Sequence, residues 1–230
     1  MCAKVSISKF NPQMDRVPHY EEYEYELKKG MTVLDVLNCI RDNVDSTLSF
    51  SYCCRNGHCG LCAMNINKEP ALACRIAASD SMLLEPLNNL PVLRDLIIDR
   101  DAYEKLRPKL RLFLERECKA REEPEKIDMD SYEDFKIASR CIECYSCISA
   151  CPVYKKNPHA FAGPAAFVLE ARHIFDCRDE LNRQLLIESE GIENCIGCGL
   201  CSKACMVGAF PCETIGKLKG LVKQCKKSPN

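Results

Sequence analysis

Apolar and polar residues alternate through Lys4-Val5-Ser6-Ile7-Ser8, the period-two pattern of a strand with one buried face. A second, less regular alternation runs from Tyr20 to Leu27 and stops at the Lys29-Gly30 turn. Two strands with a short turn region between them are expected there. The period then changes. Thr32 is placed to cap a helix carrying Val33, Val36, Leu37 and Ile40 on one face. Ala63–Asn67 and Ala71–Cys74 read as short strands around a turn. Strand, strand, helix, cysteine loop, strand is the order of a small β-grasp domain.

From about residue 100 the spacing turns helical. Tyr103, Leu106, Leu110, Phe113 and Leu114 recur every three or four positions, which predicts helix through the charged stretch 100–135. Pro124 and the Asp128–Asp130 region mark a break. Residues 131–225 show little alternation and read as helices joined by cysteine loops, one of them over 165–175 after Gly163-Pro164.

Composition adds one outlier to an ordinary globular balance: 19 of 230 residues are cysteine. A secreted disulfide scaffold would be shorter and would carry a signal. The number here is odd, and many cysteines fall in C-x-x-C pairs, as metal thiolates in a reducing compartment do. The net charge of −1 argues against nucleic acid as a partner, since phosphate binding needs a basic stripe. The N-terminus, Met1-Cys2-Ala3-Lys4-Val5, shows no signal-peptide pattern. No apolar run approaches the roughly 18 residues of a membrane span. There is no dinucleotide fingerprint and no Walker loop.

Three motifs organise the cysteines. Cys54-x4-Cys59-x2-Cys62, followed by Cys74, has the plant-type spacing for a [2Fe–2S] cluster. Gly57 and Gly60 would let main-chain N–H groups approach the sulfides. Cys74 would close the site from a neighbouring strand. Cys141-x2-Cys144-x2-Cys147-x3-Cys151-Pro152 matches the bacterial ferredoxin run, whose fourth cysteine crosses to the other cluster. Cys195-x2-Cys198-x2-Cys201-x3-Cys205-Met206 repeats it without the proline. Crossing-over assigns Cys141, Cys144, Cys147 and Cys205 to one [4Fe–4S] cluster, and Cys195, Cys198, Cys201 and Cys151 to a second. A [3Fe–4S] centre at that last site, with Cys198 turned away, is the competing arrangement.

Cys2, Cys39, Cys53, Cys118, Cys177, Cys212 and Cys225 are read as buried small hydrophobes or inert thiols. Cys212 stands apart because it lies close to the last cysteine loop. His58 sits inside the first loop, where hydrogen bonding would tune the cluster; His173 falls on a helix face and reads as packing. The expected fold is α+β: a β-grasp, plant-type ferredoxin domain over 1–100, then an all-α, bacterial-ferredoxin-like domain over 101–230. Three cluster motifs with no substrate-pocket signature describe a one-electron relay whose substrate chemistry belongs to a partner.

These motifs carry a family likeness. Ser51-Tyr52-Cys53-Cys54-Arg55-Asn56-Gly57-His58-Cys59-Gly60-Leu61-Cys62, then Leu72-Ala73-Cys74, Pro91-Val92-Leu93-Arg94-Asp95-Leu96, Cys151-Pro152-Val153, Asn157-Pro158 and Gly163-Pro164-Ala165 resemble the iron–sulfur subunit of succinate dehydrogenase and fumarate reductase. The resemblance implies a flavoprotein partner holding FAD and the dicarboxylate site, with electrons passing between that flavin and a membrane quinone. It also implies a peripheral place on the cytoplasmic side of the cell membrane as part of a complex, co-export to the periplasm with a partner remaining open. In the common members the third motif lacks its middle cysteine, and the last cluster is [3Fe–4S]. Here Cys198 fills that gap. The common members also carry a tryptophan before the Asn-Pro and a histidine after the first cysteine of the third motif, both at the quinone pocket. This chain has Lys156 and Ile196. Both departures resemble the branch whose membrane-associated subunit is a cysteine-rich (CCG-type) protein related to heterodisulfide reductase. Two other readings stand beside this one. The chain could serve another flavoprotein, such as a glycerol-phosphate or glycolate dehydrogenase or a thiol-linked fumarate reductase, or it could be a non-redox iron or zinc scaffold.

Overall fold

The computed structural model describes residues 2–116, 125–126 and 128–227, apart from the side chains of Ala102, Asp130 and 225–227. The chain forms two compact units. One is Met1–Arg100 together with Ile142–Ala150; the other is Asp101–Cys141 with Cys151–Asn230. A division at residue 100 therefore omits a return: residues 142–150, which carry Cys144 and Cys147, belong with the first unit.

The first unit is built on a mixed sheet. Its strands are β1 (Cys2–Lys9), β2 (His19–Glu26), β3 (Ala63–Ile66), β4 (Glu69–Leu72) and β5 (Ser81–Glu85), in the order β2-β1-β5-β3-β4. β1 and β5 are parallel and the other pairs antiparallel. A small hairpin, β6 (Val92–Arg94) and β7 (Ile97–Ile98), follows. Ala3, Val5 and Ile7 of β1 are buried, as are Tyr23 and Tyr25 of β2, so the alternation in the sequence is the inward face of the sheet. Helix α1 (Val33–Asn43) buries Val33, Leu34, Val36, Leu37 and Ile40. Its start is fixed by a capping box: Thr32 Oγ1 accepts the Asp35 N–H at 3.2 Å, and Asp35 accepts the Thr32 N–H at 2.8 Å. β5 is a strand that the sequence pattern does not predict, although Met82 and Leu84 alternate and are buried. β4 ends at Leu72, so Cys74 lies in the turn beyond it and not on a strand.

At one end of β1 the buried Lys9 ammonium meets Asp45 at 2.7 Å and Asp95 at 3.4 Å. Asp95 also accepts the N–H groups of Phe10 and Ser49, at 2.9 and 2.8 Å. One buried carboxylate thus ties three distant segments by hydrogen bonds from two amides and an ion pair with an ammonium.

The second unit is helical. Among the described residues, the predicted helix through 100–135 is not continuous. Instead α2 (Asp101–Glu104) and α3 (Arg107–Leu110) are single turns. Pro108 has no N–H to continue the ladder from α2, and Arg111, at φ 47°, turns left-handed and ends α3. Pro124 and Cys118 lie outside the described residues. Asp128 is a cap: it accepts the Ser131 N–H at 3.2 Å and opens α4 (Met129–Ala138). Then, in chain order, come α5 (Ser146–Ser149, in the first unit), α6 (Pro152–Lys156), α7 (Pro164–Ile174), α8 (Gln184–Ser189), α9 (Leu200–Lys203) and α10 (Pro211–Lys227). α7 is buried on nearly every side from Pro164 to Ala171, the mark of a core helix. It packs against α10, which contributes Ile215, Leu218 and Val222, and against α4. No helix among the described residues is long and apolar enough to cross a membrane.

Arg183 clamps this unit. Its guanidinium is 1 % exposed and pairs with Glu170 at 3.3 Å and Asp179 at 2.9 Å. It also donates to the carbonyls of Leu110, Arg111 and Phe113, at 3.2, 2.9 and 2.8 Å. Two of those carbonyls end α3, where no helical partner exists. Removing the guanidinium strands buried acceptors and two carboxylates. Arg183→Ala should therefore lower unfolding stability by about 3–5 kcal/mol, and Arg183→Lys should recover only part, because an ammonium cannot fork across these acceptors. Denaturant unfolding of the anaerobically purified chain measures both; an unchanged midpoint for Arg183→Ala would rule the clamp out as a stabilising element.

Candidate metal centres

The first cysteine loop connects α1 to β3. Its backbone turns left-handed at Arg55, Gly57 and Gly60, with φ of 56°, 73° and 71°. That curl aims amides at one sulfur: Cys54 Sγ accepts the N–H groups of Asn56, His58 and Cys59 at 3.5, 3.2 and 3.3 Å. Those bonds hold the Cys54 thiol down to about 6 against the smaller effect of burial. On the other side, Ala73 donates its N–H to the Cys62 carbonyl at 3.0 Å, which sets Cys74 against Cys62 with their sulfurs 3.4 Å apart. Burial, with the neighbouring thiols Cys74 and Cys59, pushes Cys62 up to about 12. Cys54, Cys59, Cys62 and Cys74 are therefore gathered. The contribution of His58 that the structure displays is its main-chain amide.

The two glycines have different neighbours. A Cβ on Gly57 would meet the Arg75 side chain at 3.0 Å. A Cβ on Gly60 would meet the Ile142 carbonyl oxygen at 2.8 Å and Cys144 at 2.9 Å. Gly60 thus makes room for the second cysteine motif, a reason for glycine that spacing within the first motif could not reveal.

The second and third motifs share a backbone form. In the second, the residues on either side of the middle cysteine, Glu143 and Tyr145, have φ of 55° and 66°. In the third, Gly197 and Gly199 have φ of 68° and 77°. The repeat is thus conformational as well as sequential, and it treats Cys198 as it treats Cys144. Side chains larger than glycine are strained in this region by roughly 1–2 kcal/mol each. The second loop is held in it by Arg100, whose guanidinium lies 4.4 Å over the Tyr145 ring and donates to the Glu143 carbonyl. Asn89 then bonds the carbonyls of Ile148 and Ser149 at the end of α5, at 2.9 and 3.0 Å. Cys144 and Cys147 belong to the first unit, and Cys141 and Cys205 to the second. The Cys141 carbonyl accepts from Arg172 at 2.8 Å, and Cys205 Sγ accepts the Ala209 N–H at 3.3 Å.

The third motif is docked through Gly191, whose absent side chain would sit 1.9 Å from the Ala160 carbonyl oxygen. Asn194 donates to that same oxygen at 2.7 Å, and Lys219 holds the Cys195 carbonyl at 2.8 Å. The outcome is one small apolar cavity lined by Cys151, Cys195, Cys198 and Cys201, with Cys212 as a fifth cysteine in the wall. Val153, Phe161, Pro164 and Ile196 complete it. Burial raises Cys151, with the charges of Cys198 and Cys195 adding to the effect. Burial likewise pushes Cys201 up to about 12, and Cys212 is the neighbouring thiol that adds most.

Sulfur-only donor sets, amides aimed at sulfur and apolar walls fit iron–sulfur clusters, which need thiolates and are tuned by hydrogen bonds to sulfur. Among the described residues, no three cysteine, histidine, aspartate or glutamate side chains are grouped so as to hold a single metal ion.

Comparison with known proteins agrees with this geometry. Residues 4–105 match the family model of a 2Fe-2S iron-sulfur cluster binding domain, and residues 137–209 that of a 4Fe-4S dicluster domain. The chain is 36% identical to a fumarate reductase iron-sulfur subunit of Mycobacterium tuberculosis, over 94% of this chain and 90% of that one. It belongs to the fumarate reductase and succinate dehydrogenase iron–sulfur subunit family. It is also 34% identical, over 97% of its length, to a fumarate reductase (CoM/CoB) subunit from Methanothermobacter marburgensis, but spans only 49% of that protein. A chain of the Mycobacterium smegmatis Sdh1 complex in the apo form shares the fold, with a TM-score of 0.86 over 99% of this chain and 98% of that one, at 23% identity.

Lys156 and Ile196, the two departures from the common family members, line a cleft of about 230 Å³ with Pro152, Val153, Asn157, Ala160, Phe161 and Asn194. Cys2, Cys39, Cys53 and Cys177 are exposed, so of the two expected roles, buried small hydrophobe or inert thiol, the first does not hold for them. Each sits in a strand, helix or loop position that faces solvent. Cys118 and the side chain of Cys225 lie outside the described residues. His173 is half-buried, and burial lowers its pKa.

The glycine contacts give a paired test. Gly60 and Gly197 share a left-handed backbone, but only Gly60 has neighbours, Gly197 having nothing within 4 Å. Gly197→Ala should cost about 1–2 kcal/mol for conformation alone. Gly60→Ala should cost clearly more and should expose the 142–150 segment to proteolysis. Equal costs would show that the Gly60 contact contributes nothing.

Proposed function

We propose that this chain is the electron-relay subunit of a fumarate reductase or succinate dehydrogenase complex. In this reading it passes electrons between an FAD-containing, dicarboxylate-binding flavoprotein and a quinone-reactive or CCG-type membrane-associated subunit. The observation that carries the reading furthest is the cavity that gathers Cys151, Cys195, Cys198 and Cys201. The backbone around Cys198 repeats that around Cys144, which supports a second [4Fe–4S] cluster at this site. Cys54, Cys59, Cys62 and Cys74 would hold the [2Fe–2S] cluster, and Cys141, Cys144, Cys147 and Cys205 the first [4Fe–4S]. When bound, these clusters supply one-electron carriers. The protein supplies the thiolates, the amides of Asn56, His58 and Cys59 at Cys54, and the apolar lining of the last site. In this reading the protein sits peripherally on the cytoplasmic side of the membrane, held there by its partners.

A second reading is favoured by one observation, the similarity to the fumarate reductase (CoM/CoB) subunit. The flavoprotein partner would then belong to a thiol-linked fumarate reductase. The flavoprotein that co-purifies with the native chain separates the two readings.

The chain purified without air should carry about ten irons and matching sulfide, from two, four and four. Cys59→Ser should abolish the reduced [2Fe–2S] EPR signal and leave the cubane signals. The isolated chain should not reduce fumarate until a flavoprotein subunit is added. A few zincs in place of iron, or robust fumarate reduction by the single chain, would overturn the proposal.

A further inference from the structure

Four thiolates complete a cubane, yet five cysteines line the cavity at the third motif: Cys151, Cys195, Cys198, Cys201 and Cys212. Cys198 and Cys212 differ most in how they are held. Cys198 is exposed. The glycines on either side of it, Gly197 and Gly199, have no atom within 4 Å of where a side chain would begin. No side chain packs at either flank of this ligand, and the main chain is held only where Gly199 opens α9, unlike the second motif, where Arg100 packs on Tyr145.

Cys212 is fixed. It lies in the first turn of the 17-residue α10, directly after Pro211. Its amide donates to Ser202 Oγ at 2.9 Å, and that hydroxyl in turn donates to Glu213. Ser202 follows Cys201 in the chain, so Cys212 is tied to the turn that presents a proposed ligand.

We infer that Cys212 is a second thiolate for the iron corner held by Cys198 and takes that corner when Cys198 leaves it. The inference rests on the reading above, in which Cys151, Cys195, Cys198 and Cys201 hold a [4Fe–4S] cluster. In the exchange the iron–sulfur bond to Cys198 breaks and one to Cys212 forms. The proton of the Cys212 thiol is given up and the freed Cys198 thiolate takes one, so charge balances and no electron moves. The site then keeps its fourth iron under conditions that strip or modify the exposed cysteine, whereas three thiolates alone would leave a three-iron centre.

The test uses the full chain, purified without air, with iron counted against the [2Fe–2S] EPR signal so that only folded, loaded protein is scored. Cys198→Ala and Cys212→Ala should each retain about ten irons and show no oxidised three-iron signal. The double variant should fall to about nine irons and show that signal. If Cys198→Ala alone falls to nine, Cys212 is not a ligand and the inference fails, while the four-iron reading of the wild type stands. If Cys212→Ala alone falls to nine, Cys212 is the resident ligand and the exchange fails. If the wild type itself shows the three-iron signal, the four-iron reading fails and takes the inference with it. If the double variant keeps ten irons, the fourth iron depends on neither cysteine and the inference fails, while the four-iron count of the site stands.

Discussion

Neighbouring buried thiols resist ionisation, and the cysteine loops of this protein are organised around that constraint. Cys62 and Cys201 are both pushed up to about 12, first by burial and then by the thiols beside them. A cluster ligand must be a thiolate. Sites of this kind therefore release protons when they load, and loading is coupled to the folding of the loops that form them. Apolar walls around the last site sharpen the coupling, and the Tyr154 N–H, 3.4 Å from Cys151 Sγ, offsets only part of it. Cys54 is the contrast. Its three amide donors hold it down to about 6, so the protein's own backbone stabilises one thiolate of that set.

The same backbone that aims amides at sulfur must turn left-handed to do so, and the chain stabilises such turns in two ways. The third motif uses glycine at both flanking positions, where the conformation costs little. The second motif uses Glu143 and Tyr145 and offsets the strain with packing: Arg100 over the ring, Asn89 at the end of α5, Gly60 against Cys144. The practical difference is rigidity. Cys144 is fixed from several sides, whereas Cys198 stands exposed between glycines that bring no side chain to pack.

Local chemistry is readable in the sequence and distant contacts are not. The β1 and β2 alternation, the Thr32 cap and the apolar stripe of α1 are patterns a few residues long, and each reappears as an element. β5 has only two alternating apolar residues, too short a pattern to signal the strand that joins β1 to β3. The helix expected across 100–135 has the right spacing, but in its first part, 101–111, one proline and one left-handed arginine cut it into single turns. Arg183 gives no signal at all, because the carbonyls it satisfies lie some 70 positions earlier in the chain. Cysteine spacing marks which residues to gather. It does not show that 142–150 folds with the first unit, nor that Cys212 shares a cavity with the third motif.

The position of Ile196 links the two departures from the commoner family members. It is 69 % exposed and lines both the outer cleft and the cysteine cavity, as do Val153 and Phe161. A single layer of side chains thus separates a group bound in the cleft from the sulfurs of Cys151, Cys195 and Cys198. That layer is aliphatic and aromatic carbon, with no titratable group in it. The nearest polar lining of the cleft is Lys156, Asn157 and Asn194, and Asn194 is already bonded to the Ala160 carbonyl. A group bound there would meet a thin apolar wall and a lysine. An electron can cross such a wall, but a proton has no relay through it. Proton uptake by any acceptor at this face has to come from the solvent side of the cleft or from the partner that covers it.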